Sequence, residues 1–433
     1  MNHRATPESQ GKPFLTKIGA VLRFLPILVF LGLLDASVGK PKISLGIDYL
    51  TETEFKVLSG KKVGLLTHPA GKNRWGQSTV EVLFASPQVD LVALFGPEHG
   101  IYGDEKAAVL VDDKIDRKTG LPVYSLYGKY RKPIPKMLAG LDALVIDLQD
   151  VGVRCYTYVS CMRLVMEACF EGGVEVVVLD RPNPLGGMKL AGPMMDEECM
   201  SYVGAFQMPF VHGMTIAEIA LWSKKTPGVL KVSEAVRRRG KLVIVPMKGW
   251  NRLMTWPQTG LAWHPTSPNI PTLDSVAGYP MTGLGAQMGK FKHGIGTAHP
   301  FRFLTFEGVD PRELKAELDS IGLAGLSFQL KTLTNSNGIE NTGVYIVISD
   351  WKAWRPTDLA FHMMRLSAKW EQPSPFTQAK ESEITLFNKH VGSVDWWNQL
   401  SAEGSAVGLD SFFGKWDQEC QNFRSLVSSF LLY

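Results

Sequence analysis

Cysteine is scarce in this chain, and the few cysteines present do not pair up. Cys155, Cys161, Cys169, Cys199 and Cys420 are odd in number, scattered and free of any CxxC spacing. A disulfide framework and a zinc-thiolate site are therefore not expected, and all five read as small buried hydrophobes. Runs of one charge are missing too. The net charge is only +4 over 433 residues, and no basic run exceeds Arg237-Arg238-Arg239. No nucleic acid partner is expected from that pattern.

Several catalytic signatures are also absent. There is no GxxxxGK[ST], and the first strand candidate runs into THPAGKNRWG where a dinucleotide site would need GxGxxG. GLGAQMG (283–289) has the wrong spacing and the wrong place. The nine histidines form no HExxH and no metal-ligand spacing, and no GxSxG follows a strand. No cofactor and no metal is implied.

What is present is an apolar content of 45% and a charged content of 20%, the balance of a soluble globular protein. The length exceeds one ordinary core, so two domains are expected. At the N-terminus, Arg4, Lys12, Lys17 and Arg23 surround a single acid, Glu8. FLPILVFLGLL (24–34) follows, and then ASVG (36–39). This basic–apolar–small order marks residues 1–39 as a signal peptide of an exported, periplasmic or extracellular protein. The apolar run is shorter than the roughly 20 residues of a membrane span. Membrane contact is expected only through this signal, or through it as an uncleaved anchor.

Four nearly continuous apolar runs recur in the first half: KKVGLLTH (61–68), VDLVALFG (89–96), LDALVIDLQD (141–150) and VEVVVLDR (174–181). Such runs fit parallel strands covered on both faces. Between the last two, Val159, Met162, Val165, Met166 and Cys169 fall at helical spacing ahead of Gly172-Gly173. Thr215 and Glu218 form a capping box, and KLVIVPMKGW (241–250) is another strand candidate. The predicted fold is α/β: a Rossmann-like, open, mostly parallel sheet over 45–251, then a smaller α+β auxiliary domain over 252–433. Helices are expected at 311–322 and 357–370 in the latter, with a strand at 341–350.

All four runs end in polar residues: His68, Glu98-His99, Asp147 with Asp150, and Arg181 with Asn183. Ligands of an open parallel sheet bind at the carboxyl ends of its strands. The shared edge is therefore the expected ligand site, and its chemistry is that of carboxylates. Glycoside cleavage needs a proton donor and usually a second carboxylate. Glu98 follows Pro97 and neighbours His99, an imidazole able to share its proton. RCYTY (154–158) adds Tyr156 and Tyr158 as sugar platforms, with Trp250, Trp256 and Trp263 further along. Arg154 and Arg181 are suited either to clamp an anion or to hold one of the neighbouring aspartates.

FGPEHGIYGD, TGLPVYSLYG, DLQDVGVRCYTY, DRPNPLGG, AGPMM, VHGMTIAEIA and SPNIPT occur in that order. Together they resemble the NamZ family of exo-β-N-acetylmuramidases, across roughly residues 45–300 and more loosely to the C-terminal FLLY. The resemblance implies a cofactor-free enzyme that releases N-acetylmuramic acid from the non-reducing ends of peptidoglycan fragments. It implies a cleft between a Rossmann-like and an auxiliary domain, with Glu98 as the acid. Asp150, further out on its strand tip than Asp147, is then favoured as the second catalytic carboxylate, with His99 beside the acid. His68, Asp147, Arg154, Tyr156, Arg181, Asn183, His212 and Asn269 become substrate-binding candidates, the arginines for the lactyl carboxylate. QMGKFKHGIGTAHPF (287–301) departs from the family pattern. Gln287 and His293 stand where glutamates are expected, and Ile295 and His299 where arginines are. Those departures motivate an alternative, a non-catalytic binding protein for muramyl sugars.

Overall fold

The computed structural model describes residues 43–103, 114–334 and 337–433, which belong to one compact unit. The expected signal peptide lies outside them. The strands are β1 (Lys62–Thr67), β2 (Asp90–Gly96), β3 (Lys114–Ile115), β4 (Pro122–Ser125), β5 (Ala143–Asp147) and β6 (Glu175–Leu179). They continue with β7 (Ala191–Met194), β8 (Pro209–Val211) and β9 (Leu242–Val245). The C-terminal part adds β10 (Phe291–Lys292), β11 (Phe303–Phe306), β12 (Leu326–Thr334) and β13 (Glu340–Ile348).

The main sheet has the order β3-β4-β2-β1-β5-β6-β9, parallel throughout except where β3 meets β4. The chain leaves β1 toward β2 and β4, then returns to its other side at β5. The reversal lies between β1 and β5, so their carboxyl ends flank the crevice where such sheets bind ligands. The expected strands at 61–68, 89–96, 141–150, 174–181 and 241–250 all belong to this sheet.

Their unbroken apolar character has a direct cause. Val63, Leu65, Val145 and Val177 pack on one face, while Leu66, Ile146, Val176 and Val178 pack on the other. The second face is covered by the helix Thr157–Gly172, which buries Val159, Met162, Val165, Met166 and Cys169. Each such side chain contributes roughly 1.5–3 kcal/mol on burial, enough to fix the helix's rotation. Gly173, at φ +75°, ends it in the left-handed conformation that glycine adopts without strain. The capping box at Thr215 and Glu218 starts the helix Ile216–Lys225.

A second sheet, β10-β11-β13-β12, is antiparallel and packs with the helices Pro311–Ile321 and Asp358–Trp370. The apolar core of the first sheet continues into it through Phe301, Leu304, Phe361 and Trp396. All five cysteines are buried and free, as small hydrophobes would be.

The chain's last residue returns to the first sheet. The Tyr433 hydroxyl donates to Asp180 Oδ2 at 2.7 Å, just past β6, and accepts from Met247 N at 2.9 Å. Its ring meets Trp250 edge-on, with centroids 5.2 Å apart. Tyr433→Phe keeps the ring packing and strands the Met247 amide. Guanidinium unfolding should show it about 1–3 kcal/mol less stable than the parent, with an unchanged m-value.

Candidate active site

The tip of β2 is built by backbone geometry. Gly96 lies so close to the returning chain that an added Cβ would meet Gly100 Cα and Ile101 N at 3.2 Å. The Pro97 carbonyl accepts from Gly100 N at 2.9 Å, closing a tight turn. Within it His99 takes φ +71°, a left-handed conformation that costs a non-glycine residue about 1–3 kcal/mol. This turn places Glu98 and His99 on the wall of a cavity of about 270 Å³.

The cavity is composite. The first sheet supplies Glu98, His99, Tyr127, Tyr156, Thr157 and Tyr158, and the C-terminal part supplies Asn269, Tyr279, Phe301 and His390. Phe301 is also left-handed, at φ +63°. Two of the four described non-glycine residues with positive φ therefore line one cavity, where strain is most often retained for function. Glu98 Oε2 accepts from Thr157 Oγ1 at 3.0 Å, at the first turn of the helix Thr157–Gly172. The Tyr127 hydroxyl also bonds Glu98, and burial with that neighbouring carboxylate pushes the phenol's pKa up. Glu98 is the one carboxylate among the residues lining this cavity.

Of the residues expected from sequence, Glu98, His99, Tyr156 and Asn269 meet here. Asp150 and His212 do not line the cavity. Asp150 Oδ2 accepts from Gly152 N at 2.7 Å and faces His212 Nε2 at 3.2 Å. His212 Nδ1 accepts from Met214 N, so the ring proton sits on Nε2 and is donated to Asp150. The pair is buried, and Asp150 is not among the residues that line the cavity with Glu98.

Five other candidates hold the scaffold instead. Asp147 is fully buried, paired with Arg181 through Nε at 2.6 Å and Nη2 at 2.8 Å, and bonded by the Thr79 hydroxyl. Its oxygens are used up, so it is no sugar ligand, and Arg181 takes the alternative of holding an aspartate. His68 Nε2 accepts from Gln149 N at 2.8 Å, and burial lowers its pKa well below the usual imidazole value. Asn183 bridges Met214 O and Leu185 N.

Arg154 does not clamp an anion. It is fully buried, with Nη1 donating to Pro193 O and Met208 O at 2.8 and 2.7 Å. Its Nη2 donates to Val391 O at 2.8 Å and His390 O at 3.3 Å. Burial lowers its pKa to about 10. A Cβ on Gly392 would stand 2.5 Å from Nη2, so only glycine leaves room.

Tyr127, Thr157, Tyr279, Phe301 and His390 were not among the sequence candidates. Tyr127 had a signal, since it follows β4 on the same carboxyl edge within TGLPVYSLYG. His390 had none, because it reaches the cavity only through tertiary packing. The four departures from the family pattern line no wall of this cavity. His293 stands behind Phe301, with ring centroids 4.8 Å apart, and burial pushes its pKa down to about 4. His299 pairs with Lys331 at 2.6 Å, Ile295 is half exposed, and Gln287 lines a different cavity.

Arg154→Met removes four hydrogen bonds and leaves their carbonyls buried. It should cost about 3 kcal/mol or more in denaturant unfolding. Protein that remains folded should keep its KM for an anionic sugar, which loss of a carboxylate clamp would raise.

Comparison with known proteins adds the lineage. Residues 63–274 match the N-terminal domain of exo-β-N-acetylmuramidase NamZ, and 277–433 match its C-terminal domain. The peptidoglycan β-N-acetylmuramidase NamZ of Bacillus subtilis (strain 168) is 42% identical over 398 residues, covering 91% of this chain and 92% of that one. A crystal structure of a DUF1343 family protein from Bacteroides fragilis NCTC 9343 superposes with TM-score 0.81 at 35% identity, covering 91% of this chain and 99% of that one. A second DUF1343 structure from the same organism gives TM-score 0.64 at 25% identity, over 90% and 99%. With both family domains matched end to end around the Glu98 cavity, the chain belongs to the NamZ family of exo-β-N-acetylmuramidases.

Proposed function

We propose that this protein is a glycoside hydrolase that releases N-acetylmuramic acid from the non-reducing ends of peptidoglycan fragments, in cell-wall turnover and recycling. The observation that carries this is Glu98, a lone carboxylate on the wall of a cavity shared by both parts of the chain. Its hydrogen bonds to Thr157 and Tyr127 fix its direction. Glu98 acts as the general acid, giving its proton to the glycosidic oxygen as the anomeric C–O bond breaks, while a water forms the new bond to the anomeric carbon and its proton passes to the carboxylate that Glu98 has become. His99, one residue on, is the group beside it able to return a proton. Tyr156, its hydroxyl held by Thr266 at 2.8 Å, lines the wall against which the sugar lies, and Asn269 offers an amide to the sugar's polar groups. Asp150 and His212 act as positioning residues behind the Tyr156 wall. The binding-protein alternative rested on the altered 287–301 segment, whose four changed residues lie off this cavity.

We also read the basic–apolar–small N-terminus as an export signal, in keeping with a wall-derived substrate. Fractionated cells should hold the protein outside the cytoplasm, with deletion of residues 1–39 retaining it inside.

On a chromogenic β-N-acetylmuramide, Glu98→Gln should lower kcat by about 10²–10⁴-fold, the usual size of a general-acid contribution. Binding of free N-acetylmuramic acid should persist in the variant. Wild-type-like turnover by Glu98→Gln would remove Glu98 from the mechanism.

A further inference from the structure

A second cavity, of about 260 Å³, opens on the same sheet edge near the ends of β1, β5 and β6. It is separated from the Glu98 cavity by a wall in which the Tyr158 hydroxyl donates to Thr266 O at 2.6 Å and the His68 ring meets Tyr158 at 4.7 Å. The segment 261–270 serves both sides, with Leu261 and His264 on the second cavity and Ser267 and Asn269 on the first. Nothing in the proposed hydrolysis uses the second cavity.

Its lining is strongly one-sided in charge. Lys72, Arg74 and Arg181 contribute to it, and no carboxylate does. The nearest acids are already engaged. Asp147 is consumed by Arg181 and Thr79, and Asp48 accepts from Leu45 N at 2.8 Å and Arg74 N at 3.2 Å. Burial, then the charges of Lys72 and Arg181, lowers the pKa of His264 on the same wall.

Two groups in the floor are more than nine-tenths buried and incompletely bonded. Arg181 is 4% exposed and uses Nε and Nη2 in its hydrogen bonds, leaving Nη1 out of them. Gln149 is 2% exposed and donates through Nε2 to Asp150 O and Pro182 O, while its Oε1 has no partner. Those two donations fix which amide atom is the oxygen. A buried acceptor without a donor is costly, so a ligand N–H or O–H that reaches Gln149 Oε1 is favoured there. The rim adds apolar surface from Trp256 and from Trp75, which is 77% exposed with the Arg74 guanidinium 5.0 Å from its ring centroid.

We propose that this cavity is a second ligand site, for a small carboxylate with an amide N–H beside it: the chemistry of an N-acylated amino acid. The carboxylate meets Lys72, Arg74 and Arg181, the N–H meets the Gln149 carbonyl, and the side chain lies against the two tryptophans. The peptide portion of a wall fragment carries these groups, and only that choice of source rests on the muramidase reading.

Calorimetric titration of the full chain with N-acetylalanine tests the proposal, with acetate and inorganic phosphate as comparison probes. N-acetylalanine should bind, and Lys72→Ala and Arg74→Ala should each weaken it roughly tenfold, the size of one lost charge-assisted hydrogen bond. Lys72 is partly exposed, so Lys72→Ala should melt at the parent's temperature, while Arg74→Ala, which also loses the bond from Arg74 Nη1 to Ile43 O at 2.8 Å, should melt slightly below it. Acetate and phosphate should bind at least tenfold more weakly. Absence of binding, binding indifferent to both substitutions, or phosphate binding as tightly as N-acetylalanine would each overturn it. The titration involves no turnover, so its failure leaves the muramidase reading intact, and inactivity on muramides leaves this site intact.

Discussion

A buried guanidinium without a carboxylate partner holds the two parts of this molecule in register. Arg154 sits three residues before Thr157, the first residue of its helix, and its four hydrogen bonds all end on backbone carbonyls. Two of those carbonyls belong to the segment around β7 and β8, and two to residues 390 and 391 at the end of the helix Glu381–Val391. Four carbonyl dipoles replace the water that a charge would otherwise demand, and the fixed fork of arginine suits divergent acceptors as lysine would not. His390, whose backbone carbonyl takes part in this contact, lines the Glu98 cavity.

Enclosure also explains where strain is kept. His99 and Phe301 adopt left-handed backbone on opposite contributions to one cavity, and each is over-determined by its surroundings. Around His99, the Gly96–Gly100 contact leaves no room for a relaxed turn. Around Phe301, its amide donates to His293 O at 2.6 Å and its ring lies between Tyr279 and His293. A relaxed loop at either position would swing Glu98 or the Phe301 ring out of the space a sugar must fill.

The sheet was legible because burial on both faces leaves a signature that alternating strands lack. Five strands, their shared polar edge and the helix after β5 all followed from runs of valine, leucine and isoleucine with their flanking glycines. The place of Glu98 was legible for a related reason: Gly-Pro ends β2 abruptly, and the next residue lines the cavity. The arginines were not. A guanidinium beside aspartates has the same sequence whether it meets a ligand, as expected of Arg154, or backbone carbonyls 236 and 237 positions away, as it does. β12 was missed because its pattern, with few buried residues, is that of an edge strand with one wet face. His390 and the helices after residue 380 contribute to the site through packing that no local pattern encodes.

One strand edge therefore supports two chemically opposite cavities. The Glu98 side is lined by a carboxylate, phenols and neutral polar groups, and no lysine or arginine reaches its wall. The other side collects three cations and no acid. The Asp147–Arg181 pair and the Tyr158–Thr266 wall keep those charges on the far side. The same partition that keeps lysine and arginine off the Glu98 wall gathers them in the second pocket.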